Sequence, residues 1–223
     1  MPRIKWHETG ERIYETGIDR GVFWKQQADG KFAAGVPWNG LISVSQSPEG
    51  AEDEDLWADN IKYLTLRSAE DLNFSISAFS SPEEFDECDG SVEIAPGVFV
   101  GQQNRTPFAF SYRSIVGNDT AQDKYGYKIH IYYGCSASPS EREYATVNDT
   151  PEAMELSWDC STIPVPVPGY KDTASIVIDS TKVDAEKLAA FEDIIYGSES
   201  EDSKLLSPAE IIAHFSTGGA AAG

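Results

Sequence analysis

Three histidines (His7, His130, His214) and three cysteines (Cys88, Cys135, Cys160) are the scarce side chains that could move a proton or hold a soft metal. They lie far apart and show neither HExxH nor CxxC spacing, so no zinc site is expected. An odd number of unpaired-looking cysteines reads as reduced thiols in a cytosolic setting. Cys160 falls in register with Leu156 and Trp158 and reads as a small core hydrophobe. His130 falls with Lys128 and Tyr132 on the polar side of an alternating run, where a solvated or hydrogen-bonded ring is expected. The stretch Asp86-Glu87-Cys88-Asp89-Gly90 fails as a calcium loop, because its first ligand position would be Phe85 and its twelfth Pro96. The run Glu52-Asp53-Glu54-Asp55 reads as a solvated loop. Carboxylates are plentiful, but no spacing singles out an acid/base pair. GxGxxG, GxxxxGK[ST] and GxSxG are all missing, so neither catalysis nor a cofactor is expected.

Charge narrows the partners. Seventeen Lys and Arg against 37 Asp and Glu leave a formal charge of −20. Residues 1–40 are net +1, 41–100 net −12, 101–150 neutral and 151–223 net −9, so at least two acidic surfaces are being built. Tight binding to duplex DNA is disfavoured, since it relies on Lys and Arg neutralising phosphates. A disordered coil is also disfavoured by 40% hydrophobic and 11% aromatic residues. No stretch reaches the roughly 18–20 apolar residues that span a bilayer, and the first residues show no signal-peptide core, so no membrane partner is expected.

The elements that must position any site read mainly as β. Alternating runs occur at 72–78, 108–113, 127–133 and 154–161, with less regular ones at 61–67, 91–102 and 174–178. Asp89-Gly90, Gly117-Asn118-Asp119 and Asn148-Asp149 mark turns between them. About seven such strands predict an antiparallel β-sandwich or barrel. The run Ile163 to Pro168, with prolines two apart, reads as an extended edge that blocks strand addition. Asp184 predicts the cap of a helix over 184–196 that aligns Leu188, Phe191, Ile194 and Ile195 and stops at Gly197. A capping box with proline at the first helical position, Ser207-Pro208-Ala209-Glu210, predicts a second, short helix. Three regions result: 1–40, a body over 41–197, and 198–223 with an acidic linker, the short helix and a Gly/Ala tail.

Residues 1–40 carry six large aromatics, broken by glycines and without sustained periodicity. Two readings stay open: an irregular layer over the core, or an arm that docks on a neighbouring subunit. On the second reading the interface candidates are Phe23, Trp24, Pro37 and Trp38.

Several segments in order carry a resemblance. They include Trp6-His7-Glu8-Thr9-Gly10, Thr16 to Val22, Gly35-Val36-Pro37-Trp38-Asn39-Gly40-Leu41 and Ala58-Asp59-Asn60-Ile61-Lys62-Tyr63-Leu64. Further on come Glu87 to Ser91, Pro96 to Gln103, Gly117 to Thr120, Gly126 to His130 and Ile178 to Asp184. Over roughly residues 3–215 the chain resembles the major tail protein, or tail tube protein, of long flexible-tailed bacteriophages and prophages of Gram-positive hosts. The resemblance implies a structural virion protein of the phage tail, assembled in the host cytoplasm and not an enzyme. It implies a β-sandwich with a flanking helix, in hexameric rings stacked into a hollow tube that conducts genomic DNA without binding it specifically. Tape-measure, tail-terminator and distal tail proteins are the implied partners. In that setting Glu155 and Asp159, on the water-facing side of their strand, are candidates for an anionic lumen wall. Another ring-forming tail or secretion-tube component, or a glycan-binding β-sandwich, would share much of the same pattern.

Overall fold

The computed structural model describes residues 3–146 and 153–216. It is mainly antiparallel β, as expected, but has twelve strands among the described residues where about seven were legible. The main sheet runs in the order β2 (Val36–Trp38), β1 (Ile13–Lys25), β9 (Phe108–Asn118), β10 (Gln122–Ala137), β11 (Leu156–Thr162), β6 (Glu70–Ala78), β3 (Leu41–Gly50). A twelfth strand, β12 (Ser175–Asp179), pairs with β10 over Lys128–Tyr132, ahead of the stretch Cys135–Ala137 that pairs with β11. The two ends of the path, β2 and β3, are joined by Asn39-Gly40 alone, which curls the sheet toward closure. Gly40 takes φ +79 there, and Gly21 on β1 leaves room for Leu41, whose Cδ1 would lie 2.5 Å from any added Cβ.

The curled sheet encloses one core. Trp38 stands at its centre, its ring 4.6 Å from Phe85, 5.4 Å from Trp158 and 5.5 Å from Phe110, with its indole nitrogen donating to the Ser80 carbonyl at 2.8 Å. Phe85 comes from a short 3-10 turn, Glu83–Phe85, that leads into α1 (Asp86–Asp89) and closes over these rings. A second core lies on the outer side of β1, β9, β10 and β12 under α2 (Ala185–Tyr196) and α3 (Pro208–Ser216). There Trp24, Ile129, Ile131 and Tyr133 meet Leu188, Phe191, Ile195 and Ile211. The caps form as expected: Asp184 Oδ1 accepts from the amides of Glu186 and Lys187, both at 3.1 Å, and Ser207 and Glu210 exchange backbone bonds as a capping box.

The reading of residues 1–40 as a separate arm is corrected here. β1 is a central strand, paired with β9 over its whole length, and Phe23, Trp24 and Trp38 are buried inside the subunit. Phe23 points into the barrel and Trp24 into the helix layer, so consecutive residues are both apolar and alternation is lost. Bulges after Thr16 and Asp19 scramble the period further. What remains free of the sheet is the segment before β1, with Ile4 and Trp6 exposed and Gly10 tied to Asn118 and Asp119.

Three other expectations change. The acidic run from Asp53 is β4 (Asp53–Ala58), paired with β5 (Ile61–Arg67), not a loop. His130 is hydrogen-bonded, to Ser114 at 2.8 Å, but is buried on the barrel side of β10 and not solvated, stacked on Tyr112 at 4.7 Å. The 198–204 linker is partly packed: Trp24 donates to Ser203 Oγ at 3.1 Å, and Leu205 and Leu206 beyond it are buried. The Asn148-Asp149 turn lies outside the described residues. Among those residues no helix is long and apolar enough to cross a membrane.

Candidate assembly surfaces

β3 and β6 do not end at the barrel. Past Gly50 and Glu70 the ladder continues through backbone bonds at Ala51–Ala69 and Ser68–Glu52 into β4 and β5, making one long hairpin over residues 41–78. Its outer part, 53–67, stands clear of both cores, and every residue of β4 and β5 is exposed. The two sides of this ribbon differ. On one, Arg67 makes a bidentate pair with Asp53 (2.6 and 3.1 Å), and Asp55 accepts from Lys62 and Thr65 at 2.6 and 2.8 Å. Those bonds hold the Asp55 carboxyl below its ordinary range. On the other side Glu54 faces Leu66, Leu56 faces Leu64 and, past a bulge, Ala58 faces Ile61. The first side pairs its charges but also carries Trp57, 69% exposed, in line with Asp53 and Asp55, while the leucine side packs against neither core of the subunit. An isolated two-stranded ribbon is marginal in water and needs a further layer. A smaller hairpin, β7 (Val92–Ala95) with β8 (Val98–Val100), also leaves Ile94, Val98 and Phe99 exposed.

The inner half of the long hairpin carries a second surface. Phe74, Ile76 and Ala78 of β6 point into the barrel, so Asn73, Ser75 and Ser77 point out. In register across three strands, Ser43, Ser77 and Ser157 form one row, and Ser45, Ser75 and Asp159 the next. Ser47 lies opposite Asn73 in a third row, and Glu49 opposite Asp71 beyond it. Neither β3, β6 nor β11 holds a lysine or arginine. Ser47, Glu49, Asn73, Ser75 and Asp159, with Ser138 and Ser161, line a shallow depression of about 430 Å³. Asp159 is thus exposed amid hydroxyls, and Glu155 is exposed just ahead of β11. The serines were visible in sequence, but only register turns them into a pavement.

Of the four aromatic-arm candidates, Phe23, Trp24 and Trp38 are core residues and cannot reach a neighbour. Pro37 is exposed on the edge strand, in an apolar depression with Val22, Gly35 and Tyr196. The run at 61–67 forms β5 as expected, but its partner β4 was hidden because Asp and Glu are poor strand formers; the alternation Glu54, Leu56, Ala58 was the available signal.

One polar cluster sits at the end of the barrel. Ser114 donates its only hydroxyl proton to Glu15 at 2.6 Å, so the 2.8 Å contact with His130 Nε2 has the imidazole N–H donating to Ser114. His130 Nδ1 is buried without a partner. Burial pushes the imidazole below its ordinary value, with Glu15 opposing. Burial also works against the Glu15 charge, but hydrogen bonds from Lys128 and Ser114 outweigh it and lower that carboxyl. Ser114 and His130 are buried, while the Glu15 side chain is 39% exposed. The cysteines are likewise buried, Cys88 pushed up to about 12 by desolvation, which removes the thiolate a nucleophile requires. Among the described residues no three His, Cys, Asp or Glu side chains gather to hold a metal ion.

No family model matches the chain, and no curated protein matches it.

Proposed function

We propose that this chain is a self-assembling structural subunit, and that its function is to build a conduit out of copies of itself. Within that class the reading favoured by the order of its sequence segments is the tail tube subunit of a long-tailed phage, in stacked hexameric rings around a DNA channel. The observation that carries the proposal is the outer ribbon 53–67, whose leucine side is bare in the subunit. Heterologous contacts of such an arm with the next copy repeat along an axis when they do not close. The serine and carboxylate pavement supports the channel part of the reading. A wall without lysine or arginine gives DNA no counterion-release gain and therefore nothing to hold. Its carboxylates act over no more than about 8 Å in physiological salt, which confines the effect to the wall itself.

The test is negative-stain imaging of the purified full chain over rising concentration. Hollow tubes or stacked rings support the proposal. Single rings that never stack point to another ring component. Dispersed monomers at high concentration would overturn it.

A further inference from the structure

We propose that the leucine side of the 53–67 ribbon docks into the apolar groove between the 29–32 turn, the Val165-Pro166 edge and the start of α3 on another copy of this chain. The inference rests on the assembly reading above and names the receptor that reading leaves open. The groove holds about 410 Å³ and is walled by Phe32, Tyr133, Val165, Pro166, Leu205 and Pro208. Lys31 and Lys204 stand at its rim, with Glu210 beside Lys204. Each is an exposed cation held only loosely, at 3.6 Å from Asp29 and 3.4 Å from Glu210, so either can turn to a new carboxylate at little cost.

Charge argues for this occupant. In a chain of 37 acids and 17 bases, most like-on-like contacts repel. The ribbon with its flanks, residues 51–69, carries five acids and two bases, and both bases are already engaged with Asp53 and Asp55. Glu54 lies on the leucine side itself, opposite Leu66, where no salt bridge holds it. An anionic arm with an apolar stripe therefore meets an apolar floor rimmed by two lysines and a single carboxylate, Glu210. The proline-rich edge also explains why the arm would be received by side chains and not by strand pairing. Pro166 has no amide to give, and Val165 already exchanges both backbone bonds with Thr173.

The experiment is cross-linking of the full chain carrying both Leu64→Cys and Pro166→Cys, treated with a short bis-maleimide, with imaging of the same sample. The native cysteines are buried and supply little background. The expected result is a ladder of dimers, trimers and longer species on a denaturing gel. Mixing two chains that carry one cysteine each should stop the ladder at dimers. Adding Lys31→Glu and Lys204→Glu should lower ladder yield about threefold, the weight of exposed charge pairs, and Glu54→Lys in the same chain should recover part of it. Assembled particles without a ladder would overturn the docking and leave the assembly reading standing. Absence of assembled particles with the unsubstituted chain would overturn both.

Discussion

Replacing Leu56, Leu64 and Leu66 together by serine separates assembly from folding. In the subunit these side chains are 38%, 37% and 52% exposed, and they touch neither core. Fully burying a leucine is worth about 1.5–3 kcal/mol, so covering the remaining exposure is worth roughly 0.6–1.5 kcal/mol each and about 3 kcal/mol for the three. At 1.4 kcal/mol per tenfold, each inter-subunit contact should weaken about 100-fold. The barrel should keep its unfolding free energy to within about 1 kcal/mol, because no cavity forms in either core. Sedimentation velocity over a concentration series reads the first effect and chemical denaturation the second. Assembly at the unsubstituted protein's concentration would refute the reasoning. So would loss of the fold, which would place the leucines in the subunit's own stability.

Three further outcomes follow from the packing and the charges. Trp38→Ala should cost about 3–5 kcal/mol by denaturation, as for other buried large aromatics, because four aromatic rings surround the indole; a stable variant impaired only in assembly would restore Trp38 as an interface residue. His130 has a folded pKa below its unfolded value, so the unfolded chain binds the proton first and stability should fall as pH drops through about 6.5 and below. His130→Gln should flatten that slope in a pH series of denaturation curves, and an unchanged slope would assign it to other groups. Ser45→Lys, Ser75→Lys and Asp159→Lys together should leave the fold intact and give the protein a salt-dependent affinity for DNA, measured by fluorescence anisotropy. No gain in binding would discredit the idea that the bare pavement keeps DNA from adhering.

Legibility in the sequence followed local chemistry. Both helices announced themselves through Asp184 and the Ser207–Glu210 box, because capping is a contact within four residues. Strands β6 and β11 were legible where one face meets the core and the other meets water, as at Phe74, Ser75, Ile76 and Ser77, and β9, covered on both faces, still alternates rings with Ala109, Ser111 and Arg113. β1 was not, because the helix layer covers its second face and the burial of Trp24 depends on residues more than 170 positions away, such as Ser203. Aromatic content without period therefore signalled a doubly covered strand, where an arm had been one of the two readings. In the ribbon β5 was legible, but β4 was hidden by its acids, which are held in strand form by cross-strand partners such as Arg67 and Lys62. As for the surfaces, Asp159 was visible as an exposed acid, but the serine rows around it come from pairing between residues some 80 positions apart.

The most direct measurement is a cryo-electron reconstruction of whatever the purified chain forms, read at the level of which strands face the axis. The expected particle is a hollow ring or tube whose bore displays Ser45, Ser75 and Asp159 with no lysine or arginine among them, and whose subunits each extend the 53–67 ribbon onto a neighbour. A solitary particle, or a bore walled by α2 and α3 with the ribbon left in solvent, would contradict it.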